Sequence, residues 1–136
     1  MNSPRPLSPR PLSPHLGVYK FMYTMSLSIL HRITGVAATF GFLALVWWLM
    51  ALATGPDAYA HAMALLSMPL AKLLLVGFTF SFVYHFCNGI RHLVWDTGRG
   101  LERAQARRSG RVVVVAALVL TALVVWLGCH AMSVTP

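Results

Sequence analysis

Three apolar runs constrain this chain more than anything else in it. Ile33 to Gly55 is 23 residues without a charge, Leu73 to Tyr84 is a second uncharged run, and Val112 to Cys129 is a third, of 18 residues. A helix of roughly 20 apolar residues spans a bilayer core. In lipid the backbone must satisfy its own hydrogen bonds, which leaves helices or closed barrels, and three strands close no barrel. The expected fold is therefore an all-α membrane protein with three transmembrane helices. With 57% hydrophobic and 10% charged residues in 136 positions, the chain lacks the polar surface of a small soluble domain.

Turn signals place the ends of the spans. Helix one is expected from about Ser26 to Gly55-Pro56, with Trp47 and Trp48 near its outer end, where interfacial aromatics belong. Helix two is expected to open at Ser67-Met68-Pro69 and to end near Asp96 to Gly98. A polar linker from Arg99 to Gly110 precedes a valine- and leucine-rich third span, with His130 at its outer edge. The anchor thus covers residues 26–132, with spans near 26–55, 67–98 and 110–130. Residues 1–25 form a proline-rich leader and interfacial segment, in which Arg5-Pro6-Leu7-Ser8-Pro9 recurs as Arg10-Pro11-Leu12-Ser13-Pro14. Five prolines in the first 32 residues, and no early apolar stretch, argue against a secretory signal.

The net charge of +8 is unevenly placed. Arg5, Arg10, Lys20 and Arg32 flank the first span, and Arg99, Arg103, Arg107, Arg108 and Arg111 lie between the second and third. The loop around Pro56 to Ser67 carries only Asp57. Positive loops stay inside, so the N-terminus and the second loop are expected inside and the C-terminus outside. Basic residues flanking lipid spans speak for membrane topology rather than nucleic acid. Cys87 and Cys129 sit in separate spans and form no CxxCH motif, which excludes covalent haem attachment at such a motif.

The second span ends in unusual chemistry, Tyr84-His85-Phe86-Cys87-Asn88-Gly89-Ile90-Arg91-His92-Leu93-Val94-Trp95-Asp96. On a helix His85, Asn88/Gly89, His92 and Asp96 form one polar stripe. His85 lies roughly 16 Å from the inner end at Asp96, near the bilayer middle, and His92 only about 6 Å from it. Ionisable groups inside a span are costly and are functional candidates. A neutral mid-membrane imidazole suits haem iron, with the small Gly89 giving a flat ring room; a hydrogen bond to a neighbouring helix is the alternative. Shallower, Arg91, His92 and Asp96 suit haem propionates or, alternatively, simple interfacial anchoring.

A second polar group, Ser28-Ile29-Leu30-His31-Arg32-Ile33-Thr34-Gly35, opens helix one at the same inner interface. Ser28 and Arg32, four apart, share a face, and His31 adjoins it. A hydroxyl, a guanidinium and an imidazole at the lipid boundary suit a quinone headgroup whose tail stays in lipid. The alternative is that Ser28 caps the helix and Arg32 anchors it among phospholipid headgroups. Two independent polar clusters converging at one depth favour a site.

Three stretches, residues 10–20 (RPLSPHLGVYK), 28–35 (SILHRITG) and 84–96 (YHFCNGIRHLVWD), together resemble the family of cytochrome b membrane anchors of succinate dehydrogenase, respiratory complex II. The resemblance covers nearly the whole chain. It implies a helical bundle completed by a second, different membrane anchor, and one haem b shared between the two anchors. It further implies an iron–sulfur subunit with its clusters, and an FAD-bearing flavoprotein subunit. Electrons then pass from succinate to ubiquinone, in the tricarboxylic acid cycle and the respiratory chain. The family's haem-iron ligand falls on His85, its quinone-binding residues on Ser28 and Arg32, and groups near the haem propionates on His31, Arg32 and His92. The chain is then non-catalytic alone and a subunit of an oxidoreductase in a bacterial inner or mitochondrial inner membrane. Two alternatives stay open: the anchor of a fumarate reductase or another quinone-linked b-type cytochrome, and a haem-free structural membrane subunit. The first RPLSP copy is an addition to the family pattern.

Overall fold

The computed structural model describes residues 21–134, and the leader with its two RPLSP copies lies outside them. Four helices follow in order: α1 (Tyr23–Thr54), α2 (Pro56–Leu66), α3 (Pro69–Asp96) and α4 (Arg103–Val134). Of these, α1, α3 and α4 are long and apolar enough to cross a membrane. Most of their large apolar side chains point outward, among them Phe40, Leu43, Leu70, Leu73 and Val119. A soluble protein would bury that surface; a bilayer covers it instead. The expected all-α, three-span membrane protein is what the chain forms.

Two elements differ from the sequence reading. The first loop is largely the helix α2. Pro56 stands at its first position, Asp57 lies in its first turn, and alanines 58, 60, 62 and 64 favour the helix. The last helix begins at Arg103 rather than near residue 110, so much of the polar linker is helical. Arginine is a good helix former, and the apolar run marks only where this helix meets lipid.

The connection from α3 to α4 is consequently short. Gly98 has φ +77°, a conformation that glycine adopts without steric cost, and its N–H donates to Trp95 O at 2.8 Å. The Trp95 indole N–H donates to Gly100 O at 3.0 Å and pins the same turn.

The middle element of the bundle is α3, which packs against α1 on one side and α4 on the other, while α1 and α4 touch only lightly. Leu27, Tyr84, Val113 and Ala117 form the buried core. Tyr84 is fully buried and its hydroxyl donates to Leu27 O at 3.1 Å, tying α3 to α1. The buried positions on α4 are mostly small: Ala106, Gly110, Val113, Ala117 and Thr121. Such spacing presents one face, and small side chains let membrane helices approach closely. At Gly110 an added Cβ would overlap the Leu27 side chain and stand 3.2 Å from Tyr23. The third span, featureless by sequence, is thus a packing helix with a defined seam.

Candidate functional site

The polar stripe expected along α3 divides into two faces. Successive residues turn by about 100°, so Asn88 lies roughly 60° and Arg91 roughly 120° round from His85, with His92 almost in line. That difference sends Asn88 and Arg91 toward α4 and the two histidines toward α1.

On the α4 side, Arg91 is buried and bonds through all three of its side-chain nitrogens. Its Nε donates to Ser109 Oγ at 2.9 Å, Nη1 to Asn88 Oδ1 at 3.2 Å, and Nη2 to Ala106 O at 2.8 Å. The guanidinium also lies 3.9 Å from the centre of the Trp95 ring. The sequence leaves Arg91 open between haem propionates and interfacial anchoring; the bonds it makes run to α4 and to its own helix. Asn88, given no role by sequence, is the acceptor of this clamp and has no exposed surface. Their spacing of three puts Asn88 and Arg91 side by side on α3, but nothing in the sequence says that Ser109 and Ala106 of another helix complete the clamp. Asp96 is exposed at the end of α3.

On the α1 side, three histidines converge. The His31 ring stacks on His85, centroids 4.0 Å apart and planes 11° from parallel. The His92 ring lies 5.2 Å from His31 and meets Trp95 edge-on at 5.1 Å. His31 thus lies against both α3 histidines, at a depth between them. His85 Nδ1 lies 3.0 Å from the His31 carbonyl oxygen. A carbonyl only accepts, so Nδ1 carries the proton and Nε2 keeps its lone pair. Among the described residues Nε2 has no hydrogen-bond partner. His31 Nδ1 is buried and also without a partner.

This arrangement fits a haem. A porphyrin-held iron asks one donor of this chain, and an imidazole whose other nitrogen is hydrogen-bonded to a carbonyl is the usual form of such a donor. One turn from His85, a Cβ added at Gly89 would meet nothing within 4 Å, so the helix leaves open space beside that imidazole. The unpartnered His31 Nδ1 offers a polar contact for a ligand group. Among the described residues no group of three or more His, Cys, Asp or Glu could hold a bare metal ion.

Ser28 and Arg32 sit one turn apart on α1, Ser28 half-buried and Arg32 exposed. The N-cap of α1 is Met22, so Ser28 does not cap the helix and its hydroxyl is free of that task. Arg32 heads a shallow apolar groove of about 490 Å³ lined by Ile33, Val36, Ala37 and Phe40. A cation at the head of an apolar strip can bind a polar ring that carries a long apolar tail.

Comparison with known proteins agrees with this architecture. Residues 6–124 match the family model described as succinate dehydrogenase/fumarate reductase transmembrane subunit. A succinate dehydrogenase cytochrome b556 subunit from Rickettsia prowazekii is 46% identical over 81% of this chain and 86% of its own length. Its Paracoccus denitrificans counterpart is 40% identical over 88% of each chain. A mitochondrial succinate dehydrogenase cytochrome b560 subunit from Sus scrofa is 40% identical over 85% of this chain and 66% of its own. Three apolar spans, a histidine cluster between the first two, and matches over most of the length lead to one conclusion: the chain belongs to the succinate dehydrogenase/fumarate reductase transmembrane subunit family.

Proposed function

We propose that this chain is the haem b-bearing membrane anchor of a succinate:ubiquinone oxidoreductase. It holds the flavoprotein and iron–sulfur subunits at the membrane and forms part of the quinone-reduction site. The observation that carries this reading is His85, whose Nδ1 proton is committed to the His31 carbonyl while Nε2 remains available to iron. His85 would hold the haem iron from this chain, and the second membrane anchor would supply the other ligand. His31 and His92, both inward of His85, and Arg32 would meet the propionates. A bound haem b supplies a one-electron carrier within the membrane.

Ser28 and Arg32 bind the quinone. The Ser28 hydroxyl donates to a headgroup carbonyl, and the Arg32 guanidinium stabilises negative charge as that oxygen is reduced. FAD and the iron–sulfur clusters reside on the partner subunits outside the membrane. The basic N-terminal flank and the arginine-rich first turns of α4 face the inside of a bacterial inner or mitochondrial inner membrane.

The test is a dithionite-reduced minus oxidised absorption spectrum of the complex purified by a tag on this chain, beside its His85→Leu variant. A b-type α-band that is lost or shifted in the variant is the expected result. An assembled wild-type complex without haem would overturn the reading. A fumarate reductase anchor is the second reading, since the family's name covers both. The relatives named succinate dehydrogenase favour the first, and ubiquinone rather than menaquinone in the purified complex would support it.

A further inference from the structure

The His85 imidazole rests on a seat built entirely from α1. The His31 carbonyl oxygen accepts a hydrogen bond from His85 Nδ1–H at 3.0 Å. The same oxygen lies 3.0 Å from the Thr34 hydroxyl, which also lies 2.8 Å from Leu30 O. Thr34 is 3% exposed, so this hydroxyl has no water to turn to and its one proton is divided between two carbonyls of its own helix. Beside it, a Cβ built on Gly35 would stand 2.8 Å from His85 Cε1 and 3.1 Å from Nδ1. The His31 ring covers a face of the imidazole at 4.0 Å. Carbonyl, hydroxyl, bare backbone and stacked ring thus fix the tautomer, the plane and the hydrogen bond of His85.

We propose that Gly35 and Thr34 are positioning residues for His85. Gly35 lets the imidazole lie against the α1 backbone, close enough for Nδ1 to reach the carbonyl one turn earlier. Thr34 competes for that carbonyl. Each share of the His31 oxygen taken by the Thr34 hydroxyl weakens the bond from His85 Nδ1–H. A weaker bond there leaves the imidazole a poorer electron donor at Nε2. The seat therefore sets how strongly His85 favours the oxidised over the reduced state of an iron bound to it. This inference rests on His85 being the haem ligand.

The experiment uses the whole purified complex with Thr34→Val, Thr34→Ser, Gly35→Ala and His85→Leu in this chain. Haem content per complex, the α-band position, the electron paramagnetic resonance spectrum of the oxidised haem and its midpoint potential are measured. Thr34→Val keeps the shape of the side chain and removes only the hydroxyl. It is expected to retain haem and to shift the midpoint potential to more negative values, while Thr34→Ser restores the wild-type value. Gly35→Ala is expected to displace the ring and change the paramagnetic spectrum, whether or not haem content falls. A Thr34→Val haem that titrates like wild type, in a complex whose haem is lost with His85→Leu, would overturn the seat and leave the ligand assignment standing. A haem spectrum untouched by His85→Leu would instead overturn the ligand assignment and the seat with it.

Discussion

Replacing Arg91 by methionine tests how α4 is held on α3. The substitution removes three hydrogen bonds, to Ser109 Oγ, Asn88 Oδ1 and Ala106 O, and the contact with the Trp95 ring. Two of these bonds cross to α4, and side-chain hydrogen bonds between membrane helices average about 0.6 kcal/mol each and reach about 1.7. A desolvated cation over an indole adds about 0.5–2 kcal/mol. Asn88, whose Nδ2 already lacks a partner, would lose the partner of its oxygen as well. An orphaned buried acceptor costs about 1–3 kcal/mol. Methionine packing, and relief from burying a charge, offset part of this. The net loss is about 3 kcal/mol, which corresponds to roughly a hundredfold larger open population. Amide hydrogen exchange in the intact complex reads that population directly, at residues 104–110, where α4 meets the clamp. The expected result is exchange there faster by roughly a hundredfold, with α1 unchanged. Arg107→Met, at an exposed position of the same helix, is the control and leaves exchange as in wild type. Combining Arg91→Met with Asn88→Leu removes both the charge and the orphaned amide and recovers much of the protection. Exchange in Arg91→Met within about threefold of wild type, a difference of only about 0.6 kcal/mol, would refute the clamp.

Gly110→Val should weaken the bundle by about 1–3 kcal/mol, since its Cβ overlaps Leu27 where α4 meets α1. A lowered thermal midpoint of the purified complex, with a smaller loss for Gly110→Ala, is the expected pattern; equal midpoints would show that α1 and α4 do not touch there. The pair Ser28→Ala and Arg32→Leu should impair quinone reduction while the haem band and assembly persist, because neither side chain belongs to the buried contacts of α1. Normal succinate–quinone turnover in that double variant would remove both residues from the quinone site.

The sequence by itself determined the solvent of this protein and the number of its spans. Apolar length fixes what crosses a bilayer, and lipid leaves the backbone few choices other than helix. It also marked His85, His92, His31 and Arg32, because charged and imidazole side chains stand out in an apolar run. The same signal misled at two places. Alanine-rich residues 57–66 carry no long apolar run, yet helix propensity and a well-placed proline suffice for α2. Charge read as linker in residues 103–110 lies on the first turns of α4, since a helix continues past the edge of the membrane.

Tertiary structure alone decided which neighbour each polar residue meets. A periodicity of 3.6 orders positions around one helix but does not say which helix lies on which side. Because α3 sits between α1 and α4, steps of about 60° and 120° separate Asn88 and Arg91 from His85 and its cluster. The seat under His85 is invisible in sequence for a further reason. Its working parts are a backbone carbonyl, the absence of a Cβ at Gly35 and a hydroxyl turned onto its own helix. Only the approach of α1 to α3 brings these to one imidazole.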